Sequence, residues 1–191
     1  MEQETARERV LDAAEGLFYG RGIQTVGMDA VRTSSGVSLK RLYQLFPSKE
    51  DLVEAYLRRR DGAWLHRLAA HVEAVPAPRE RVLAVFDWLH DWFAEDGYRG
   101  CAFVNSFGEL GATSPAVARA ARDHKEAFLQ YLEDLVTAAG LPRRLGAAVG
   151  LLAEGAITTS AISGSPEPAL RAREAAATLM AAAAPRVTGA A

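Results

Sequence analysis

The chain has 191 residues, of which 49% are hydrophobic and 24% charged, and its 22 basic and 24 acidic side chains give a net charge of −2. This composition is typical of a globular protein and excludes wholesale disorder and collagen-like repeats. The length suits one large domain, or one domain with a small appendage, at about 100–200 residues per domain. A single cysteine, Cys101, excludes an intramolecular disulfide and any metal site built from several cysteines. The first ten residues are charged and lack the apolar core of a signal peptide, so we expect a reducing, cytoplasmic setting.

The spacing of apolar residues predicts an all-α fold of about nine helices, because alanine is abundant and no strand-length alternation appears. Glycines 20 and 22 are expected to end the first helix, and a capping box of Ser48 and Asp51 to begin the fourth. Ala30 and Val31 are expected to face inward from the second helix, and residues 185–191 to fray. The predicted helices span about residues 4–19, 28–34, 38–46, 48–71, 79–95, 103–108, 115–139, 142–163 and 168–184.

The most apolar stretch is 145–162, in which Glu154 is the single charged residue. An apolar run of about 18 residues is long enough to span a membrane. Most of these residues are small or hydroxylated, however, and a carboxylate near the middle of a span is costly. We therefore predict no membrane partner and expect this helix to be buried between other helices.

Segment 22–52 has the pattern of a helix-turn-helix: two short helices joined by a turn at Gly36. No carboxylate occurs between residues 30 and 48, whereas residues 61–191 carry 12 basic and 15 acidic side chains. A local positive face on a slightly acidic protein is expected of a surface that binds phosphates. The alternative is a solvated basic face on an ordinary helical bundle. The basic residues are Arg32, Lys40, Arg41 and Lys49.

The second short helix is expected to pack through Val37, Leu42, Leu45 and Phe46. Its remaining side chains face outward and suit DNA, since lysine and arginine donate to guanine and glutamine pairs with adenine. The tyrosine and serine hydroxyls suit phosphate oxygens, and the lysine in the next helix lies where backbone N–H groups also meet a phosphate. These candidate contacts are Ser38, Lys40, Arg41, Tyr43, Gln44 and Lys49.

About residues 5–56 resemble the DNA-binding domain of TetR-type transcriptional regulators. The matching residues are Ala14, Leu17, Phe18, Gly22, Asp29, Val31, Gly36, Val37, Ser38, Leu42, Tyr43, Phe46, Lys49 and Leu52. The rest of the chain agrees in length and helical layout only. The resemblance implies a helix-turn-helix domain over 1–47 and an effector-binding and dimerisation domain over 48–191, linked by the helix 48–71. It also implies homodimers that place one recognition helix per subunit in the major groove.

Two positions depart from the family pattern. Gly27 stands where a serine or threonine often caps the second helix, so a hydroxyl contact to phosphate is lost there. The backbone N–H of Met28 can still donate to the same phosphate, and Thr25 is expected to compensate in part. Leu45 stands where a histidine is common, which predicts a more apolar seat for the recognition helix.

The resemblance also implies a pocket for a small, largely apolar effector, because such sites are apolar cavities with a few polar groups. Plain core packing of the same aromatic residues is the alternative. For Cys101, both a thiol sensor and a small buried residue stay open. The candidate lining residues are Trp64, Trp88, His90, Trp92, Cys101, Phe103, Asn105, Phe107 and Phe128.

No metal or cofactor is predicted. His66 and His71 do not share a helix face, and Asp87 and Asp91, one turn apart, are better explained as a solvated face than as a cation site.

The small residues of helices 142–163 and 168–184 allow close helix approach, which predicts a four-helix dimer interface, with packing inside one chain as the alternative. The function predicted is a ligand-responsive regulator, a repressor of a near-palindromic operator released by its effector. An effector-independent or architectural DNA-binding module is the alternative. An all-helical enzyme is disfavoured because no set of nucleophile, base and orienting residue is found.

Overall fold

A computed structural model describes residues 2–183, with side chains from residue 4 onward, and the predicted fraying of 185–191 lies outside that range. Within the described residues the chain is all-helical, with nine α-helices and no strand. The helices are α1 Glu2–Arg21, α2 Met28–Ser35, α3 Leu39–Leu45, α4 Lys49–Glu73, α5 Pro78–Phe93, α6 Ala102–Leu110, α7 Pro115–Ala138, α8 Leu145–Ser163 and α9 Glu167–Ala183. The predicted all-α fold class is therefore confirmed.

Local capping signals explain the start of α4 and the end of α1. At the start of α4, the Ser48 N–H and hydroxyl donate to Asp51 Oδ2 at 3.0 and 2.6 Å, and the Asp51 N–H donates back to Ser48 Oγ at 3.1 Å. This is the predicted capping box. Gly20 was wrongly expected to help end α1, because the helix continues to Arg21 and ends at Gly22, whose φ is +86°. Glycine adopts that left-handed conformation without the steric cost of a Cβ.

Residue contacts divide the chain into two compact units. The first comprises Met1–Trp64 and Cys101–His124, and the second comprises Leu65–Gly100 and Lys125–Ala191. Helices α4 and α7 contribute residues to both units. The functional boundary predicted after residue 47 stays a prediction, because compactness does not show which part contacts DNA.

In the first unit, α1, α2 and α3 enclose an apolar core under the start of α4. Val10, Val31 and Leu42 are fully buried at its centre. The expectation that Ala30 faces inward was wrong, because Ala30 is exposed. The eight-residue α2 buries only Val31 and Ser35, which lie one turn apart on one face of the helix. Ala30, the residue before Val31, points away from that face.

In the second unit, α5 is buried on more than one face, and α8 and α9 pack against it and each other. Helix α8 also packs closely on α7, since a Cβ built at Gly146 would lie 2.7 Å from the Cα of Glu133. By length and composition α8 is the one described helix apolar enough to cross a membrane, with 39% of its apolar window buried. One such helix is weak evidence of a membrane span, and the expectation that α8 is buried between other helices holds for one face only, since Val149, Ala153 and Ile157 are buried whereas Leu151 and Ile162 are exposed.

Candidate nucleic-acid interface

The turn between α2 and α3 is built on Gly36. Its φ is +64°, its N–H donates to the Arg32 carbonyl at 3.0 Å, and a Cβ there would lie 2.6 Å from Arg9 Nη2. The left-handed conformation requires glycine, whereas the Arg9 guanidinium lies at the end of a flexible side chain and could move aside. Two residues later, Ser38 caps α3 by accepting the Arg41 N–H at 3.3 Å. This turn sets the direction in which α3 leaves α2.

Helix α3 has one buried and one exposed face. Leu42 and Phe46 are buried and seat the helix, whereas Leu45 is only half-buried. Three of the predicted contact residues, at positions i, i+3 and i+4, share the exposed face. They are Lys40, Tyr43, which is 45% exposed, and Gln44.

Arg41 and Ser38 lie beside that exposed face. Arg41 is half-buried, and its Nη1 donates to Gln44 Oε1 at 3.4 Å. This long hydrogen bond places a guanidinium and an amide next to each other. The Ser38 hydroxyl uses a lone pair as the helix cap and keeps its O–H as a donor for a phosphate oxygen.

The N-terminus of α2 carries no side-chain cap. Gly27 is the N-cap residue, and half-buried Met28 is the first residue of the helix. The expectation that Thr25 compensates was wrong. Its hydroxyl donates to the carbonyls of Arg21 and Gly22 at 2.8 and 3.1 Å, so it is committed to the end of α1. The Ala30 N–H donates to the Gly27 carbonyl at 3.1 Å, which leaves the N–H groups of Met28 and Asp29 in the first turn of α2 to meet an anion.

Lys49 begins α4 and is half-buried. Its ammonium donates to the carbonyl of Ile23 at 2.6 Å, which ties α4 to the loop between α1 and α2. An ammonium has three donors, so two protons are left for a phosphate.

The same loop is contacted by Glu109 of α6. The carboxylate accepts the N–H groups of Ile23 and Gln24 at 3.0 and 2.8 Å, and Gln24 Nε2 donates to the Glu109 carbonyl at 2.5 Å. Sequence reasoning missed Glu109, because some 85 residues separate it from the loop and no local pattern marks it.

The predicted effector-pocket residues fall in both units. Those in the first unit are Trp64, Cys101 and Phe103, which are buried, and Asn105 and Phe107, which are exposed. Those in the second are Trp88, Trp92 and Phe128, which are buried, and His90, which is half-buried. Trp88 and Trp92 stack at 5.5 Å, and Trp92 meets Tyr98 edge-on at 5.0 Å. This aromatic packing fills the core of the second unit.

In the first unit, His124 brings two of the predicted residues together. It is 3% exposed, stacks on Phe103 at 3.8 Å, meets Trp64 edge-on at 5.3 Å and pairs through Nδ1 with Asp61 at 2.6 Å. Sequence reasoning missed both His124 and Asp61. They lie 63 residues apart, and nothing in the sequence pairs them.

A cavity of about 140 Å³ lies beside this cluster. Its walls are mixed, with apolar surface from α4, α6 and α7 and several charged side chains. The lining residues are Glu54, Leu57, Arg58, Asp61, Phe103, Ala116, Arg119, Ala120 and Asp123.

Two smaller questions concern metals and the cysteine. Within residues 2–183, no group of three or more histidine, cysteine or acidic side chains is arranged to hold a metal ion. Asp87 forms an ion pair with Arg173 at 2.8 Å. Cys101 is buried at the N-cap position of α6 and forms no disulfide.

Residues 10–56 match the family model described as bacterial regulatory proteins, tetR family. Over 80 residues, 42% of this chain and 40% of the relative, the sequence is 36% identical to the uncharacterized HTH-type transcriptional regulator Rv1255c of Mycobacterium tuberculosis. Over 133 residues, 69% of this chain and 58% of the relative, it is 31% identical to the HTH-type transcriptional activator FasR of Mycolicibacterium smegmatis. The matched part thus spans about half the length of these relatives.

The fold agrees with a solved structure over almost the whole chain. The TetR-family transcriptional regulator SCO4454 from Streptomyces coelicolor superposes with a TM-score of 0.83, covers 94% of this chain and 96% of its own, and is 28% identical. These relatives are transcriptional regulators rather than enzymes. Residues 10–56 belong to the TetR family of bacterial regulatory proteins, and the chain as a whole has the fold of a TetR-family regulator.

Proposed function

We propose that the protein is a DNA-binding transcriptional regulator that reads its operator with α3. The observation that carries this proposal is the exposed face of Lys40, Tyr43 and Gln44, seated by buried Leu42 and Phe46. Because no acidic side chain lies between residues 30 and 48, neither α3 nor the turn before it carries a carboxylate that would repel phosphates. A helix of this size fits the major groove of B-DNA.

The eight predicted DNA contacts divide by chemistry. Lys40, Arg41 and Gln44 carry the donors that distinguish base edges. The remaining contacts hold the phosphate backbone and set the register without reading sequence. These backbone contacts are the Ser38 and Tyr43 hydroxyls, the Lys49 ammonium and the α2 N-terminus at Gly27 and Met28.

We propose a homodimer formed through α8 and α9, with a second copy of this chain as the partner. Leu151 and Ile162 of α8 are 76% and 82% exposed, and their spacing of about three helical turns places them on one face, as an apolar interface between two copies requires. An apolar groove of about 340 Å³ runs beside Leu151, between α8 and α9. The small residues of α8 would serve packing within the chain as well as the dimer interface. Gly146 packs on α7, whereas Gly155 faces open space that a second copy could fill. A two-fold dimer matches a near-palindromic operator with one half-site per recognition helix.

The dimer is tested by Leu151→Glu, with Val104→Glu as the matched control on an exposed apolar residue of α6. A charge in the core of an obligate interface leaves an ion buried without a partner. Light scattering should give a dimer for the wild type and the control, and a monomer for Leu151→Glu. A dimer of Leu151→Glu contradicts the α8–α9 interface.

We propose that a small-molecule effector changes operator affinity. The cavity beside Phe103 supports an effector with polar groups, rather than the largely apolar one that the resemblance implied, because charged side chains from α4 and α7 line it. At about 140 Å³ it is smaller than the pockets of roughly 300–1,000 Å³ that enclose drug-sized ligands, so its occupant is small or opens it further. Repression relieved by the effector is our proposal for the direction of control. The relative FasR is named an activator, so a promoter–reporter assay with and without the gene decides the direction.

The first experiment is fluorescence anisotropy with DNA from upstream of the protein's own gene, across salt concentrations and with scrambled competitor. Binding that survives the competitor and falls with salt supports a sequence-specific regulator, because phosphate contacts release counterions. Binding that the scrambled DNA competes away equally supports the alternative of an architectural module. No binding at low salt contradicts both.

A further inference from the structure

The loop between α1 and α2 is held at one residue from two sides. Ile23 donates its N–H to Glu109 Oε1 at 3.0 Å and accepts Lys49 Nζ on its carbonyl at 2.6 Å. The next residue, Gln24, donates its N–H to Glu109 Oε2 at 2.8 Å and its side-chain amide to the Glu109 carbonyl at 2.5 Å. We call the three hydrogen bonds between Glu109 and these two residues the Glu109 latch.

The latch uses strong hydrogen bonds on a well-anchored loop. Both carboxylate oxygens are acceptors, and hydrogen bonds to an ionised carboxylate are roughly twice as strong as neutral ones. The Ile23 side chain is only 2% exposed, so the loop is also fixed in the apolar core. The loop therefore has little freedom to shift without breaking the latch.

Gly22 shows that the loop is shaped around the carboxylate. Its φ is +86°, which disfavours any other residue, and a Cβ at this position would lie 3.2 Å from both Glu109 oxygens. A side chain at position 22 would thus strain the backbone and push against the carboxylate of Glu109.

The latch matters because α2 has no cap of its own. Gly27 supplies no side chain, and the Thr25 hydroxyl is bonded to the end of α1. The path of the loop therefore decides where α2 begins, and α2 in turn carries the Gly36 turn and α3. We propose that Glu109 is a positioning residue for DNA recognition, which acts through the Ile23 and Gln24 amides and touches no DNA itself. This proposal rests on the DNA-binding function proposed above.

The test compares Glu109→Ala and Glu109→Gln with Glu126→Gln, a matched loss of charge at an exposed position of α7. Two measurements are made on the full chain: hydrogen exchange of the Ile23 and Gln24 amides, and operator affinity across salt concentrations. Exchange tests the latch without DNA, and affinity tests its consequence.

We expect Glu109→Ala to speed exchange at both amides and to weaken operator binding about tenfold, or roughly 1.4 kcal/mol. The slope of log K against log salt should stay that of the wild type, because no phosphate contact is removed. Glu109→Gln keeps one uncharged acceptor oxygen, so its exchange rates and operator affinity should lie between those of the wild type and Glu109→Ala. The Glu126 control should match the wild type in both measurements.

A second variant keeps the test decisive if Glu109→Ala folds poorly. Gly22→Ala crowds the same carboxylate from the loop side and should reproduce the faster exchange and weaker binding. Wild-type affinity in Glu109→Gln and Gly22→Ala, whatever their exchange rates, overturns the positioning role. The wild type is measured first. If it binds no operator, both the proposed DNA-binding function and the positioning role of Glu109 are overturned.

Discussion

Lys49 Nζ lies 2.6 Å from the carbonyl oxygen of Ile23, so the first residue of α4 is bonded to the loop that precedes α2. This hydrogen bond joins the two ends of the helix-turn-helix, because α2 and α3 lie between Ile23 and Lys49 in the chain. A residue predicted as a phosphate contact also has a structural partner within its own chain.

Replacing Lys49 by methionine separates these two roles. We expect a loss of about 1 kcal/mol of folding stability, since the side chain is half-buried and its charged hydrogen bond is removed. If the ammonium also meets a phosphate, the salt slope of operator binding falls by about one. Thermal melts and anisotropy across salt measure the two effects. An unchanged slope would leave Lys49 with the structural role alone.

Alanine substitutions on the exposed face of α3 should affect operator binding in ways that differ from residue to residue. Alanine at Lys40, Arg41 or Gln44 should relax base preference at one operator position, at a cost of about 1–3 kcal/mol for a good bidentate contact. Alanine at Tyr43 should weaken binding to all sequences alike. Competition against a library of single-base operator variants distinguishes these outcomes. Arg79→Ala, an exposed arginine of α5, is the control for lost charge. Intact binding and preference in all four α3 variants would show that α3 is not the recognition helix.

Replacing each of two helical glycines by alanine should change the stability of the protein in opposite directions. A Cβ at Gly146 would lie 2.7 Å from Glu133 Cα and 2.9 Å from its backbone nitrogen, so Gly146→Ala forces α7 and α8 apart. Overpacking of this kind costs about 1–3 kcal/mol. Gly62, exposed on α4, has no heavy atom within 4 Å of such a Cβ. Gly62→Ala should stabilise the protein by about 0.5–1 kcal/mol, because alanine is the better helix former. Chemical denaturation measures both, and equal effects would contradict the close approach of α7 and α8.

The buried His124 is expected to be a major support of the first unit. His124→Ala removes a ring stacked on Phe103 and leaves Asp61 without its 2.6 Å partner, so we expect a loss of about 2–4 kcal/mol. His124→Phe keeps a ring and should lose less. His66→Ala, at an exposed site on α4, should change stability little. A near-neutral His124→Ala in denaturant melts would contradict this assignment.

Two tyrosines should make the fold sensitive to alkali. Burial raises the pKa of Tyr131 to about 12, with the Glu73 carboxylate adding to the rise, and burial raises the pKa of Tyr56 still further. A pKa raised in the folded state means that the stability it reflects is complete below the unfolded value of about 10. That stability is lost as pH rises from about 10 through the folded pKa. Absorbance titration should show Tyr56 and Tyr131 ionising late, and Tyr56→Phe should remove the later of these two transitions. Ionisation of all tyrosines near pH 10 in the folded protein would refute these shifts.

The sequence by itself determined the features that depend on near neighbours. The capping box of Ser48 and Asp51, the turn at Gly36 and the burial of Leu42 and Phe46 all follow from residues within a few positions of one another. Helix periodicity and capping act over one or two turns, so the pattern of the chain predicts them. The same short-range residue patterns gave the family resemblance over about residues 5–56.

Only the tertiary structure decided the contacts between distant segments. The Glu109 carboxylate meets the Ile23 and Gln24 amides across 86 and 85 residues, and His124 meets Asp61 across 63. Backbone amides look alike in every sequence, so which carboxylate they bond depends on how the helices pack, and no local pattern records that choice.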